Sequence, residues 1–149
     1  MMMEHEVERR DVMGVIARAS RDEMRGALDA WPEKPEAEIL RGPEAGMIML
    51  RGRTGGGGAP FNLGEATVAR ATVRLSSGEV GFSCVMGRDL ERARLAAIFD
   101  ALWQREAEAV DARLLRGVRA RLSAETRKTA EETAATRVNF FTMVRGEDE

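Results

Sequence analysis

The segment Arg51-Gly52-Arg53-Thr54-Gly55-Gly56-Gly57-Gly58-Ala59-Pro60-Phe61-Asn62-Leu63-Gly64-Glu65 holds the residue types best suited to binding chemistry. Glycines let backbone N–H groups approach an anion with no side chain between, and arginines beside them supply charge-assisted hydrogen bonds. The candidate anion-binding set is Arg51, Arg53, Thr54, Gly55, Gly56, Gly57, Gly58 and Asn62, with Arg88 as a further cation. The segment is not a P-loop, because it lacks the G-K-[ST] ending and a strand follows where a P-loop needs a helix. Nor is it a dinucleotide fingerprint, since no βαβ unit surrounds it. A flexible strand connection stays open as the alternative, because four successive glycines are entropically expensive to order. Between positions 41 and 94, eight arginines face five carboxylates, a local net charge of +3 in a chain of net charge -2. An anion is therefore expected at the middle of the chain.

Elsewhere the inventory for catalysis is thin. The 149 residues include one His and one Cys. A single cysteine, Cys84, excludes an intramolecular disulfide, a Cys-ligated iron–sulfur cluster and a Cys/His zinc site within one copy. Cys84 lies in an apolar strand between Ser83 and Val85 and reads as a buried, inert thiol. His5, near the N-terminus among charged residues, reads as a solvated side chain rather than a general base. The acids Glu44, Glu65, Glu79, Asp89 and Asp100 form no recognisable metal or acid/base pattern. No catalytic residue and no metal site are assigned. Near-balanced charge, 23 basic against 25 acidic residues, argues against a general nucleic-acid binder. No run approaches the apolar length of a membrane span, and a free thiol without an export signal places the protein in the cytoplasm. The cations are almost all arginine; genome base composition accounts for that as readily as ligand choice.

The elements that must position these residues follow from periodicity. Val7, Met13, Val15, Ile16 and Ala19 suggest an amphipathic helix over 6–19. Ser20 with Glu23 makes a capping-box pattern for a second short helix through Trp31, ended by Pro32 and Pro35. Glu38–Gly42 and Met47–Arg53 read as two short strands, and Ala66–Leu75 with Val80–Met86 as a β-hairpin turning at Ser76-Ser77-Gly78-Glu79. With no crossover helix between them, the strands form an antiparallel sheet. Asp89 caps a helix whose apolar residues cover more than one face, so the helix is either internal core or an interface. Glu106–Leu122 is helical in composition with Gly117 as a possible break, Ser123 begins another helix through Ala135, and Val138–Val144 is β-prone. That last segment docks either on the chain's own sheet edge or on another subunit. Leu95, Phe99 and Trp103, with Phe140, Phe141 and Met143, are the candidate partner-interface residues. The expected fold is one α+β domain over 1–149, a central β-hairpin in an antiparallel sheet packed with N- and C-terminal helices, with mobile ends at about 1–5 and 146–149.

Four blocks carry a family resemblance: Leu40-Arg41-Gly42-Pro43-Glu44-Ala45-Gly46; the glycine-rich segment from Arg51 to Glu65; Val85-Met86-Gly87-Arg88-Asp89; and Ala134-Ala135-Thr136-Arg137-Val138-Asn139-Phe140-Phe141-Thr142-Met143-Val144-Arg145-Gly146. Together they resemble the PhnG family, small subunits of the bacterial carbon–phosphorus lyase system for phosphonate breakdown, over about Asp11 to Gly146. The sequence departs at Gly57, where the family often carries Thr. The resemblance implies a core complex with PhnH, PhnI and PhnJ, and with PhnL or PhnK as further partners. It implies that PhnG, PhnH, PhnI and PhnL together support displacement of adenine from MgATP by a phosphonate, giving a ribose 1-phosphonate 5-triphosphate. The nucleosidase chemistry is attributed to PhnI and the radical carbon–phosphorus cleavage to PhnJ. The implied role here is accessory, with no cofactor bound by this chain alone and MgATP a substrate of the complex. A direct contribution of the glycine-rich segment to a shared site is the alternative. Self-association in isolation is expected, because apolar surface meant for partners would otherwise meet water.

Overall fold

The computed structural model describes residues 2–145, with side chains to residue 136. Helices α1 (Met2–Arg18) and α2 (Arg21–Asp29) precede strand β1 (Ala37–Arg53). A turn at Thr54–Gly56 leads into β2 (Pro60–Leu75) and β3 (Val80–Met86), followed by α3 (Leu90–Val110), a π-helical turn (Asp111–Leu115) and α4 (Arg116–Arg145). The strands form one antiparallel sheet in the order β1-β2-β3. The fold is the expected α+β arrangement with a β-hairpin at its centre.

Local chemistry accounts for the ends of the elements. Ser20 caps α2: its hydroxyl accepts from the Glu23 N–H at 3.0 Å, and Glu23 accepts from the Ser20 N–H at 3.2 Å. Asp89 caps α3 by accepting from the Arg92 N–H at 3.0 Å. The Arg92 guanidinium then donates to the carbonyls of Ala17 and Ala19 at 2.6 and 2.8 Å, satisfying the open C-terminal end of α1.

The core lies between one face of the sheet and the helices. In β3 the odd residues Gly81, Ser83 and Val85 are buried and the even ones exposed. Gly81 lets α3 approach closely, since a Cβ there would come within 1.9 Å of the Ala97 carbonyl oxygen. α1 and α2 cover the other sides of α3, which is why its apolar residues run around most of its girth. Trp31 packs edge-on to Phe99 at 6.0 Å, with the Arg113 guanidinium 5.3 Å from its ring centroid.

Several expectations are corrected. β1 is one strand, not two: the extra residues around Gly42-Pro43 are absorbed as register irregularities between Ile39 and Glu44. The first helix starts at Met2 rather than at Glu6; His5 on it is mostly exposed, as expected, with its ring stacked on Trp103 at 5.2 Å. Gly117 does not break the C-terminal helix; the irregular backbone lies at Glu106 and in the π-helical turn. No new helix starts at Ser123, because α4 runs through it. The backbone of 138–144 is helical rather than strand, continuing α4. Residues 146–149, expected to be mobile, lie outside the described residues.

Candidate functional site

The glycine-rich segment is the tip of a β-arm. β3 pairs with β2 only from Val68 to Arg74, whereas β1 and β2 remain paired out to Arg53 and Pro60. The ribbon beyond Gly46 and Val68 therefore stands clear of the third strand for about 20 Å at the usual strand rise. Its end closes through a hydrogen bond from the Gly58 N–H to the Thr54 carbonyl at 2.9 Å. Gly55 and Gly56 take left-handed conformations there, with φ of 63° and 79°. Gly57 does not (φ -128°), and its side is open, so a side chain at this position would be accommodated.

The structure brings Arg51, Arg53, Thr54, Gly55, Gly56, Gly57, Gly58 and Asn62 together at this tip, with Arg51 opposite Asn62. Neither Arg51 nor Arg53 takes part in an ion pair among the described residues. The tip has no walls: Cβ atoms built on Gly55, Gly56 and Gly57 meet nothing within 4 Å. An anion bound there would be held from one side only. Arg88 does not join the set. Its neighbour Gly87 donates to the Thr67 carbonyl at the base of the arm, about 20 Å from the tip.

The candidate interface divides. Leu95, Phe99 and Trp103 are at most 3% exposed and belong to the chain's own core, so they are not offered to a partner. Phe140, Phe141 and Met143 fall on the last turns of α4, and their side chains lie outside the described residues. The arm carries a group of exposed apolar side chains instead: Met47, Met49, Leu50, Phe61 and Leu63 are 40–63% exposed. Sequence reasoning missed them because their weak alternation implies one buried face, while the arm extends past the third strand.

Two further residues stand in arrangements that differ from the sequence reading. Asp100, 1% exposed, accepts from Arg9 Nε and Nη2 at 3.1 and 2.8 Å and from the Phe82 N–H at 2.9 Å, joining α1, α3 and β3. These side-chain hydrogen bonds, more than the charge alone, hold the Arg9 guanidinium above its ordinary value. This is a structural clamp with its acceptors occupied, not an acid or base facing substrate. Cys84 is exposed, not buried, because strand alternation turns it outward with Phe82 and Met86. Among the described residues no group of three or more His, Cys, Asp or Glu is placed to hold a metal ion, and no helix is long and apolar enough to cross a membrane.

The geometry is that of a well-packed domain carrying an uncovered arm. Comparison with known proteins places it. The family model described as phosphonate metabolism protein PhnG matches residues 7–146. A protein of Rhizobium meliloti (strain 1021), named alpha-D-ribose 1-methylphosphonate 5-triphosphate synthase subunit PhnG, is 61% identical over 142 residues, covering 95% of this chain and 91% of the relative. With both matches spanning nearly the whole sequence, this chain belongs to the PhnG family of phosphonate metabolism proteins.

Proposed function

We propose that this chain is an architectural subunit of an alpha-D-ribose 1-methylphosphonate 5-triphosphate synthase, and that it supports transfer of a phosphonate to the ribose C1 of MgATP with release of adenine. The observation that carries this reading is the arm, whose apolar side chains are left exposed among the described residues. The relative's name supports the assembly and the reaction. Catalytic groups reside on partner chains; PhnI, PhnH and PhnJ are the expected core partners, with PhnL or PhnK associated, in the cytoplasm. MgATP is a substrate of the complex and this chain alone holds no cofactor. Co-expression of the partner chains with and without this protein tests the reading: synthase activity and partner solubility fall when it is omitted. Full activity of soluble partners without it would overturn the role.

A second reading draws on the ion-pair-free Arg51 and Arg53 at the tip. Carried by the arm to a partner's site, they supply guanidinium donors to the triphosphate or phosphonate from the side the partner leaves open. In the assembled complex, Arg51→Ala with Arg53→Ala then raises the KM for MgATP or phosphonate while assembly persists. Unchanged kinetics in an intact complex would exclude the tip from the site.

A further inference from the structure

On the helix-free face of the sheet, the Arg70 guanidinium has no ion-pair partner among the described residues. Arg74 pairs with Glu38 at 3.0 Å and Arg41 with Glu44 at 3.4 Å. Arg70, on the central strand, lies opposite Glu44 in register but forms no ion pair among the described residues, since the Glu44 carboxylate is turned to Arg41. Its Nε is buried and has no hydrogen-bond acceptor. The guanidinium lies across β1 where Gly46 has no side chain: a Cβ there would come within 2.8 Å of Nη2. A pocket of about 100 Å³ opens beside it, lined by Arg41, Glu44, Arg70, Thr72 and Phe82 among others. On the next strand Val80, Phe82 and Met86 are 42–58% exposed, and Cys84 stands opposite Arg70 in register.

The guanidinium makes no hydrogen bond among the described residues; Nε is closed off by the chain itself, so an acceptor from outside meets the guanidinium through the Nη groups at the pocket. We propose that another subunit of the assembly docks on this sheet face, seating an Asp or Glu carboxylate against Arg70 and covering Phe82 and Met86 with apolar side chains. The proposal rests on the reading of the chain as a subunit. A carboxylate fits better than a phosphate dianion because Glu44 lines the same pocket and cancels Arg41, leaving at the pocket a single positive charge without an ion pair among the described residues. The exposed apolar row extends the contact beyond what a small ion covers.

Cys84, the single cysteine of the chain, reports on this face. Its alkylation rate is measured by mass spectrometry of the Cys84 peptide, in the isolated chain and in the co-expressed complex. The rate falls by about tenfold or more in the complex. Arg70→Met weakens assembly by about tenfold or more without lowering the melting temperature of the isolated chain, because it removes an unsatisfied donor. Arg70→Lys, which keeps the charge but lacks the Nη groups, also assembles more weakly than the parent. A complex that forms while Cys84 reacts at the free-chain rate overturns the proposal and leaves the subunit reading standing. Failure to recover any assembly removes both. Protection of Cys84 in the isolated chain by inorganic phosphate alone, or by raising the chain's own concentration, shows a small-anion site or a second copy and likewise overturns it.

Discussion

The two halves of this molecule obey different packing rules. Where the sheet faces α3, Gly81 admits the helix backbone, Ser83 donates to the Ala93 carbonyl at 2.6 Å, and buried Asp100 has its acceptors occupied. Where the sheet turns away or runs out along the arm, side chains of the same apolar types are left open and Arg70 Nε lacks an acceptor. α4 repeats the contrast along one helix. Leu122 packs partly against the core, but residues 123–136 are exposed, with Thr126, Thr129, Thr133 and Thr136 returning their hydroxyls to the carbonyls four residues back. Uneven satisfaction within one domain of ordinary size teaches that the open half is unfinished surface rather than a weak fold.

The comparison breaks most sharply at Gly81. Gly81→Val drives a side chain into the α3 backbone and costs more than about 3 kcal/mol; loss of a cooperative melt by circular dichroism checks it. Asp100→Ala leaves the Phe82 N–H without its acceptor and frees the half-exposed Arg9 guanidinium to water, and costs about 1–3 kcal/mol, measured by urea unfolding. Ser20→Ala removes one half of a reciprocal cap for about 1 kcal/mol.

Smaller still is an acid-dependent term at the surface. Arg94 holds Glu91 below its ordinary value of 4.5, chiefly by hydrogen bonding, with Arg25 assisting. The depressed carboxylate contributes stability that is present above the unfolded value and is lost as pH falls through the folded one. Arg94→Ala therefore flattens the fall in melting temperature below pH 4.5, and an unchanged slope would contradict it. At the far end, Met49→Asp or Leu63→Asp on the arm changes the stability of the isolated chain by less than about 0.5 kcal/mol while weakening assembly. Sedimentation of the isolated chain at micromolar concentration sharpens the same contrast: the parent self-associates and the arm variants do so less.

What was legible in the sequence was local. The Ser20–Glu23 box, the Asp89 cap and the β2-β3 hairpin depend on residues a few positions apart, and all three are in place. Long-range facts were not. Whether the apolar girth of α3 meets its own sheet or another chain depends on where α1 and α2 return, which periodicity does not encode. Cys84 was misjudged because alternation within β3 sets two faces without saying which meets the helices. The β-prone composition of Val138–Val144 yields to a helix already running from Arg116, since extending a helix costs far less than starting one. At the candidate site the sequence marked the tip residues that the hairpin gathers, but it added Arg88, which the register separates. It missed Arg70, because an arginine in an alternating strand looks like any solvated one until its neighbour proves to be glycine.

The most direct test replaces residues 48–66 with a two-residue Asn-Gly turn, removing the arm and keeping the three-stranded base. The tagged, shortened chain is co-expressed with the other phosphonate-system subunits and its partners are identified by native mass spectrometry. A shortened chain that folds with a cooperative melt and drops out of the assembly is the predicted result. A folded, shortened chain that co-purifies with every partner in full, with synthase activity intact, would contradict the claim that the uncovered half exists to be covered by other subunits.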